Sequence, residues 1–370
     1  MPSKPIYVTK PYLPALEDLY PHLQKIWENK ILTNGGPYHQ TLEKELENYL
    51  KIPSISLFCN GTIALITALQ ALDIKGEVIT TPYSFVATTH ALRWNNIEPI
   101  FVDIDPLTFN IDPQKIESAI TPKTTAILAV HCYGLPCDIH AIEVIAKKHN
   151  LKIIYDAAHA FGVTSNEGRS ILNYGDLSVL SFHATKVFNT LEGGAIVAQN
   201  KDLKIHIDQL KNFGFVDELT VVSAGINGKM NEINAAIGLL QLNSIDQVIS
   251  KRKVIDKEYR ESFEGVNGIK CLNFPLQTNP NYSYFPILID SQFRLTRDEL
   301  YDLLKQEGIY SRKYFYPLIS DFPMYKNLTS ATDDNLPVAK KVSSQVLCLP
   351  IYPDLQINEQ KKIINLILGY

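Results

Sequence analysis

The chain has 370 residues, 45% of them hydrophobic and 20% charged, with a formal net charge of −4 at pH 7. That length predicts about two lobes, and the apolar content is ample for a buried core. With no run of Lys or Arg, the composition lacks the footprint of a nucleic-acid-binding protein.

The opening MPSKPIYVTKPYLP has no uninterrupted apolar core of the signal-peptide kind. No stretch approaches the roughly 18 apolar residues that a membrane span requires. Cys59, Cys132, Cys137, Cys271 and Cys348 are scattered, odd in number and without C-x-x-C spacing. Reduced thiols in a cytoplasmic enzyme explain them better than disulfides or zinc. The expectation is a cytoplasmic protein with no metal site and no membrane or nucleic-acid partner.

In chain order, EVITTPYSF (77–85), EPIFVDID (98–105), TAILAVHCYG (125–134), LKIIYDAAHA (151–160), LSVLSFHA (177–184) and GAIVAQ (194–199) are short apolar runs that predict buried strands. Their near-continuous apolar character suits a mainly parallel sheet covered on both faces. Between them, segments such as DIHAIEVIAKKHN (138–150) have helical spacing. The result is a βαβ rhythm and an α/β fold. MNEINAAIGLLQL (230–242) predicts a helix with Met230, Ile233, Ile237 and Leu240 near one face. Beyond about residue 245 come a second, charged helix, the strand YSYFPILID, a helix opened by Thr296 and the Pro- and Tyr-rich YFYPLISDFPMY. This reads as a large α/β domain over 1–245 and a smaller α+β lobe over 246–370. The first 40 or so residues are compatible with packing on either lobe.

Ligands of open α/β sheets bind beyond the carboxyl ends of the strands, so polar residues there are weighed first. Asp156 ends LKIIYDAAHA. It reads either as a strand-end cap or as a carboxylate facing a cation such as a protonated pyridine nitrogen. Pyridoxal phosphate (PLP) chemistry requires that pair, because the protonated ring is the electron sink. Small Ala158 would leave room for the ring, and His159 could hydrogen-bond its phenolic oxygen. Lys186, in SFHATKVFNTLEGGA, lies between a buried strand and a Gly-Gly turn. Most lysines are solvated, but desolvation at such a place would lower the pKa and free the amine for Schiff-base chemistry. Ser181 is a candidate for phosphate, and His183 is equally compatible with a packed core histidine.

CNGTIALITALQAL (59–72) is a Gly-containing turn opening a helix, with Asn60 as N-cap and the Thr62 hydroxyl beside it. Free N–H groups and the helix dipole make such a start an anion site, although capped helices are common. Phe85 reads as core or as a ring able to stack on a planar ligand. G-x-G-x-x-G, Walker A, H-E-x-x-H and G-x-S-x-G are all missing from the chain.

Taken in order, NGT (60–62), SFVAT (84–88), DAAHA (156–160), SFHATK (181–186), EGGA (192–195) and GINGKMNE (225–232) resemble the DegT/StrS family. These are fold-type-I, aspartate-aminotransferase-like, PLP-dependent sugar aminotransferases. The resemblance extends from ILTNGGPYHQTLEKELENYL (31–50) to RKYFYPL (312–318). It implies Lys186 as the Schiff-base lysine, Asp156 as partner of the pyridine nitrogen, Phe85 stacked on the ring and His159 near the phenolic oxygen. It implies Gly61, Thr62 and Ser181 as the phosphate cradle, with Asn227 reaching the phosphate of a neighbouring subunit. A homodimer with shared sites follows from that last role. His183, Lys229 and Tyr316 are candidates to face substrate.

The phosphate block commonly begins with serine, where this chain has Asn60, and Lys229 stands where arginine is usual. Lys229 keeps the charge but loses the bidentate fork. The family's substrates are nucleotide-linked keto-sugars, with L-glutamate as amino donor. SFHATKVFNTLEGG and RKYFYPL are most similar to the branch that aminates C4 of dTDP-4-keto-6-deoxy-D-glucose. The other readings are C3 amination, a PLP sugar dehydratase (in which a histidine replaces the lysine) and a non-catalytic binding or regulatory protein of the same fold.

Overall fold

The computed structural model describes residues 4–275 and 277–369. At its centre is a seven-stranded sheet. From one edge its order is Ile55–Phe58, Gly194–Ala198, Leu177–Ser181, Lys152–Asp156, Thr124–Val130, Glu77–Thr80 and Glu98–Phe101. Gly194–Ala198 runs antiparallel to both neighbours, and the remaining pairs are parallel. The six apolar runs read from the sequence are all strands of this sheet. Ile55–Phe58 is an added edge strand, too short and too uniformly apolar to be told from a buried helical turn.

Alternation along the strands sends side chains into two cores. Ala126, Leu128 and Ile154 meet Leu65, Ala68 and Leu69 of the helix Gly61–Ala71. Ile127, Ala129, Ile153 and Tyr155 meet Ile142 and Ala146 of the helix Ile139–His149 on the other face. Helices on both faces explain why the strands are apolar throughout. The register places Asp156 between Val130 and Val179, at the carboxyl edge of the sheet.

The two helices expected on either side of residue 243 are one 32-residue helix, Glu232–Phe263. Asn231 caps its start, so Met230 lies just outside it. Its buried side chains continue unbroken through Gln241, Ile245, Val248, Arg252, Ile255, Tyr259 and Phe263. This is the i, i+3, i+4 rhythm of a single face, and the exposed Asn243 does not interrupt it. Ala235, Ile245 and Val248 pack with Leu42, Leu46 and Phe161 in a further core. Ile255, Tyr259 and Phe263 pack beneath a smaller antiparallel sheet of Ile269–Cys271, Phe285–Ile289 and Val346–Leu349. The helix Arg297–Gln306 opens on Thr296 with a full capping box, as its sequence predicts.

The N-terminal segment touches both parts. Ile6–Tyr7 pairs in parallel with Ile309–Tyr310. The amides of Tyr38 and His39, at the start of the helix Pro37–Leu50, both donate to the Glu232 carboxylate at 2.9 Å. No helix among the described residues is long and apolar enough to cross a membrane.

Candidate active site

A cavity of about 260 Å³ opens at the carboxyl edge of the sheet and is lined by both parts of the molecule. Asp156 forms its floor and is only 5% exposed. One carboxylate oxygen accepts from the Thr88 hydroxyl at 2.7 Å, the other from the Ala158 amide at 3.1 Å. Burial pushes the carboxyl pKa up, and these donors and the nearby Lys186 pull it back.

Lys186 lines the same cavity, in the turn that follows Leu177–Ser181. Burial pulls its ammonium down to about 8, against the opposing attraction of the Asp156 carboxylate. His159, the residue after Ala158, is buried and held well below the ordinary histidine range by desolvation and then by Lys186. It is therefore neutral. Its Nδ1 accepts the Tyr133 amide at 3.2 Å, which leaves the proton on Nε2 as a donor. The loop bearing it is clamped from below, where Asn281 and Ser283 both donate to the His159 carbonyl at 2.8 Å.

The opposite corner holds the start of a helix. Asn60 caps the helix Gly61–Ala71 by accepting the Ile63 amide at 2.8 Å, and its carbonyl accepts the Ala64 amide. The first N–H groups of a helix have no intrahelical acceptor, so those of Gly61 and Thr62 remain for a ligand. A Cβ on Gly61 would stand 3.0 Å from Cβ of Ser181, so glycine lets the helix start sit directly against that serine. Phe85 lines the cavity with its ring 58% exposed, uncommon for a side chain of core type.

Gly61, Thr62, Phe85, Asp156, His159, Ser181, His183 and Lys186 thus converge on one cavity. His183 is exposed at its mouth rather than packed in the core, 3.7 Å from the Glu192 carboxylate. Tyr316 does not line it. Its ring is half-exposed and lies under the Arg297 guanidinium, 4.6 Å away. Its neighbours Tyr314 and Phe315 take that place, together with Tyr284, which directly precedes the strand Phe285–Ile289. Phe315 lies parallel to the His159 ring, 6.1 Å between centroids.

Asn227 and Lys229 do not reach the cavity of their own chain. Asn227 is exposed, and Lys229 donates to Asn212 at 2.9 Å while lying over the Phe213 ring. Their loop is fixed from behind: the Cys59 amide donates to the Gly228 carbonyl at 2.8 Å, and the Gly228 amide to the Lys211 carbonyl. Around it Phe213, Phe215, Val216, Leu219, Val221, Val222 and Ile226 are exposed apolar side chains.

The mainly parallel sheet that brings Lys186 and the buried Asp156 into one cavity has the fold of the fold-type-I, aspartate-aminotransferase-like transferases. The chain belongs to the DegT/DnrJ/EryC1/StrS aminotransferase family, which matches residues 16–368. It is 56% identical over 369 residues to a dTDP-4-amino-4,6-dideoxy-D-glucose transaminase of Escherichia coli, covering 100% of both chains. A protein of the same description from Shigella dysenteriae is 56% identical over 365 residues, with 99% of each chain covered. The GDP-perosamine synthase of Vibrio cholerae is 30% identical and covers 99% of this chain and 98% of its own. Among solved structures, DesI in the presence of its TDP-sugar product superposes with a TM-score of 0.93 at 33% identity, over 98% of this chain and 92% of that one.

Proposed function

We propose that the chain transfers the amino group of L-glutamate to C4 of dTDP-4-keto-6-deoxy-D-glucose, giving dTDP-4-amino-4,6-dideoxy-D-glucose and 2-oxoglutarate, with PLP held on Lys186. The observation that carries this reading is full-length identity of 56% to transaminases of that sugar. The joining of Lys186 and Asp156 in one cavity supports it.

The residues fit PLP. A buried carboxylate whose protein partners include two neutral donors suits a ring cation, and a helix start with free N–H groups suits a phosphate. Bound, the cofactor supplies an electron sink that lets the C–H bond beside the transferred nitrogen break. Asp156 holds the proton on the ring nitrogen. Lys186 Nζ, half neutral near pH 8, binds the cofactor's aldehyde carbon. With PLP bound there, the same amine would be placed to carry the proton released beside the transferred nitrogen. His159 donates through Nε2 to the phenolic oxygen, Phe85 covers one ring face, and Gly61, Thr62 and Ser181 hold the phosphate. His183 faces the substrate of its own chain, and Lys229, on the loop of Asn227, that of a partner subunit.

Asn227 completes the phosphate site of a partner subunit in a homodimer. The exposed apolar segment around it supports this, because contiguous apolar surface marks an interface.

The deciding experiment offers the purified enzyme keto-sugar nucleotides with L-glutamate and identifies products by mass and NMR. A C4-amino product from the 4-keto sugar is expected. Amination of a 3-keto sugar alone would replace this assignment with C3 chemistry.

A further inference from the structure

We propose that Thr88, backed by Ser84, is a positioning residue for Asp156: a chain of two hydroxyls fixes that carboxylate on the protein side and leaves its remaining lone pairs to the cavity. The proposal rests on the cofactor reading above and adds residues whose side chains that reading does not use.

The geometry defines a direction. Thr88 Oγ1 donates to Asp156 Oδ2 at 2.7 Å, and Ser84 Oγ lies 2.8 Å from Thr88 Oγ1. A hydroxyl has one proton. With that of Thr88 directed at the carboxylate, the proton between the two hydroxyls belongs to Ser84, and the chain reads Ser84 to Thr88 to Asp156. The Ala158 amide occupies the other carboxylate oxygen at 3.1 Å. Thr88 is fully buried in the first turn of the helix Ala87–Trp94. A valine of the same shape would pack there equally well, so packing does not require the hydroxyl.

Electrostatics show what the hydroxyl is for. Burial disfavours the ionised carboxylate, and the Thr88 bond is the largest influence opposing it, ahead of the Ala158 amide and Lys186. The other titratable groups around Asp156 are neutral near pH 7. His131, at the end of the neighbouring strand, is held down to about 3 and His159 is likewise depressed, while the Cys132 thiol is pushed well up. Lys186 is thus the one cation among these groups, and its own charge is half lost at pH 8. The hydroxyl pair therefore favours the ionised carboxylate where burial disfavours it.

The test compares full-length Thr88→Val, Thr88→Ser and Ser84→Ala with wild type. Two readouts are used: equilibrium PLP binding to the apoprotein followed by absorbance across pH, and the pH profile of kcat/KM. A bond to a charged group accounts for roughly a tenfold to hundredfold effect. Thr88→Val should weaken PLP binding about tenfold near pH 7 and move the acid limb of the profile about one unit higher. Thr88→Ser should restore both, and Ser84→Ala should shift both the same way by a smaller factor. Variants that bind PLP within twofold of wild type with an unmoved acid limb overturn the proposal. So does a loss of melting temperature without any pH shift. If Thr88→Val does not fold, an unshifted Ser84→Ala overturns it instead. A wild-type chain that takes up no PLP defeats the cofactor reading and this proposal together, whereas a wild type that binds and variants that match it defeat this proposal alone.

Discussion

A Cβ on Gly194 would stand 2.6 Å from the backbone nitrogen of Gly61. The antiparallel strand and the start of the helix Gly61–Ala71 are therefore pressed together at a point where no side chain fits. Both partners of that clash are backbone, so neither can rotate away. Gly194→Ala should push the helix start off the cavity and weaken PLP binding at least tenfold. Overpacking of this kind also costs about 1–3 kcal/mol of stability. Absorbance titration of the apoprotein and chemical denaturation measure the two effects. Wild-type affinity in this variant would mean that the helix start is not the phosphate site.

Lys186→Ala should abolish turnover and the long-wavelength absorbance of lysine-bound PLP. The fold should remain, because the residue sits in a turn beyond the strand end rather than in the sheet. Circular dichroism and a glutamate half-reaction measured by 2-oxoglutarate release test this. Turnover above a few per cent of wild type would move the nucleophile to another lysine.

The pKa of Lys186 predicts a pH dependence with a definite sign. The neutral amine attacks, so PLP capture by the apoprotein should accelerate as pH rises and reach half its limit near pH 8. The Asp156 carboxylate opposes the effect of burial on this lysine. Removing its charge in Asp156→Asn should therefore shift the midpoint to lower pH. Stopped-flow absorbance of the two proteins across pH reads both numbers. A midpoint near the usual lysine value would show that Nζ is solvated.

The same Asp156→Asn change should slow turnover roughly a hundredfold or more, at about 1.36 kcal/mol per tenfold, because the ring nitrogen loses the charge that keeps it protonated. PLP should still bind through Lys186 and the helix start. Near-normal turnover would remove Asp156 from the mechanism.

Shared sites predict complementation. Lys186→Ala chains and Asn227→Asp chains, each inactive alone, should regain activity after subunit exchange. In a mixed dimer one site carries both defects and the other neither. Exchanged dimers that form without recovering activity would place Asn227 outside the partner's site.

The residues legible in the sequence were those at strand ends. Lys186 and Asp156 each follow an apolar run, and the sheet rule puts both at one edge. The helix start at Gly61 was legible through its cap. Thr88 was not, although it lies inside SFVAT: a threonine's value here depends on which carboxylate its hydroxyl meets across the sheet, and spacing does not reveal that. Tyr284, Tyr314 and Phe315 escaped for a similar reason. They come from a lobe more than a hundred positions after Asp156, and only packing brings them over His159. Tyr316 shows the converse, since its place beside an aromatic pair gives no sign that its ring turns outward to Arg297.

The helix Glu232–Phe263 extends about 48 Å at 1.5 Å per residue. It begins five residues after Asn227 and ends beneath the sheet that supports Tyr284. A hinge between the lobes would have to break this rod, not flex a linker. A shift of Tyr284 relative to the sheet edge would therefore strain this helix.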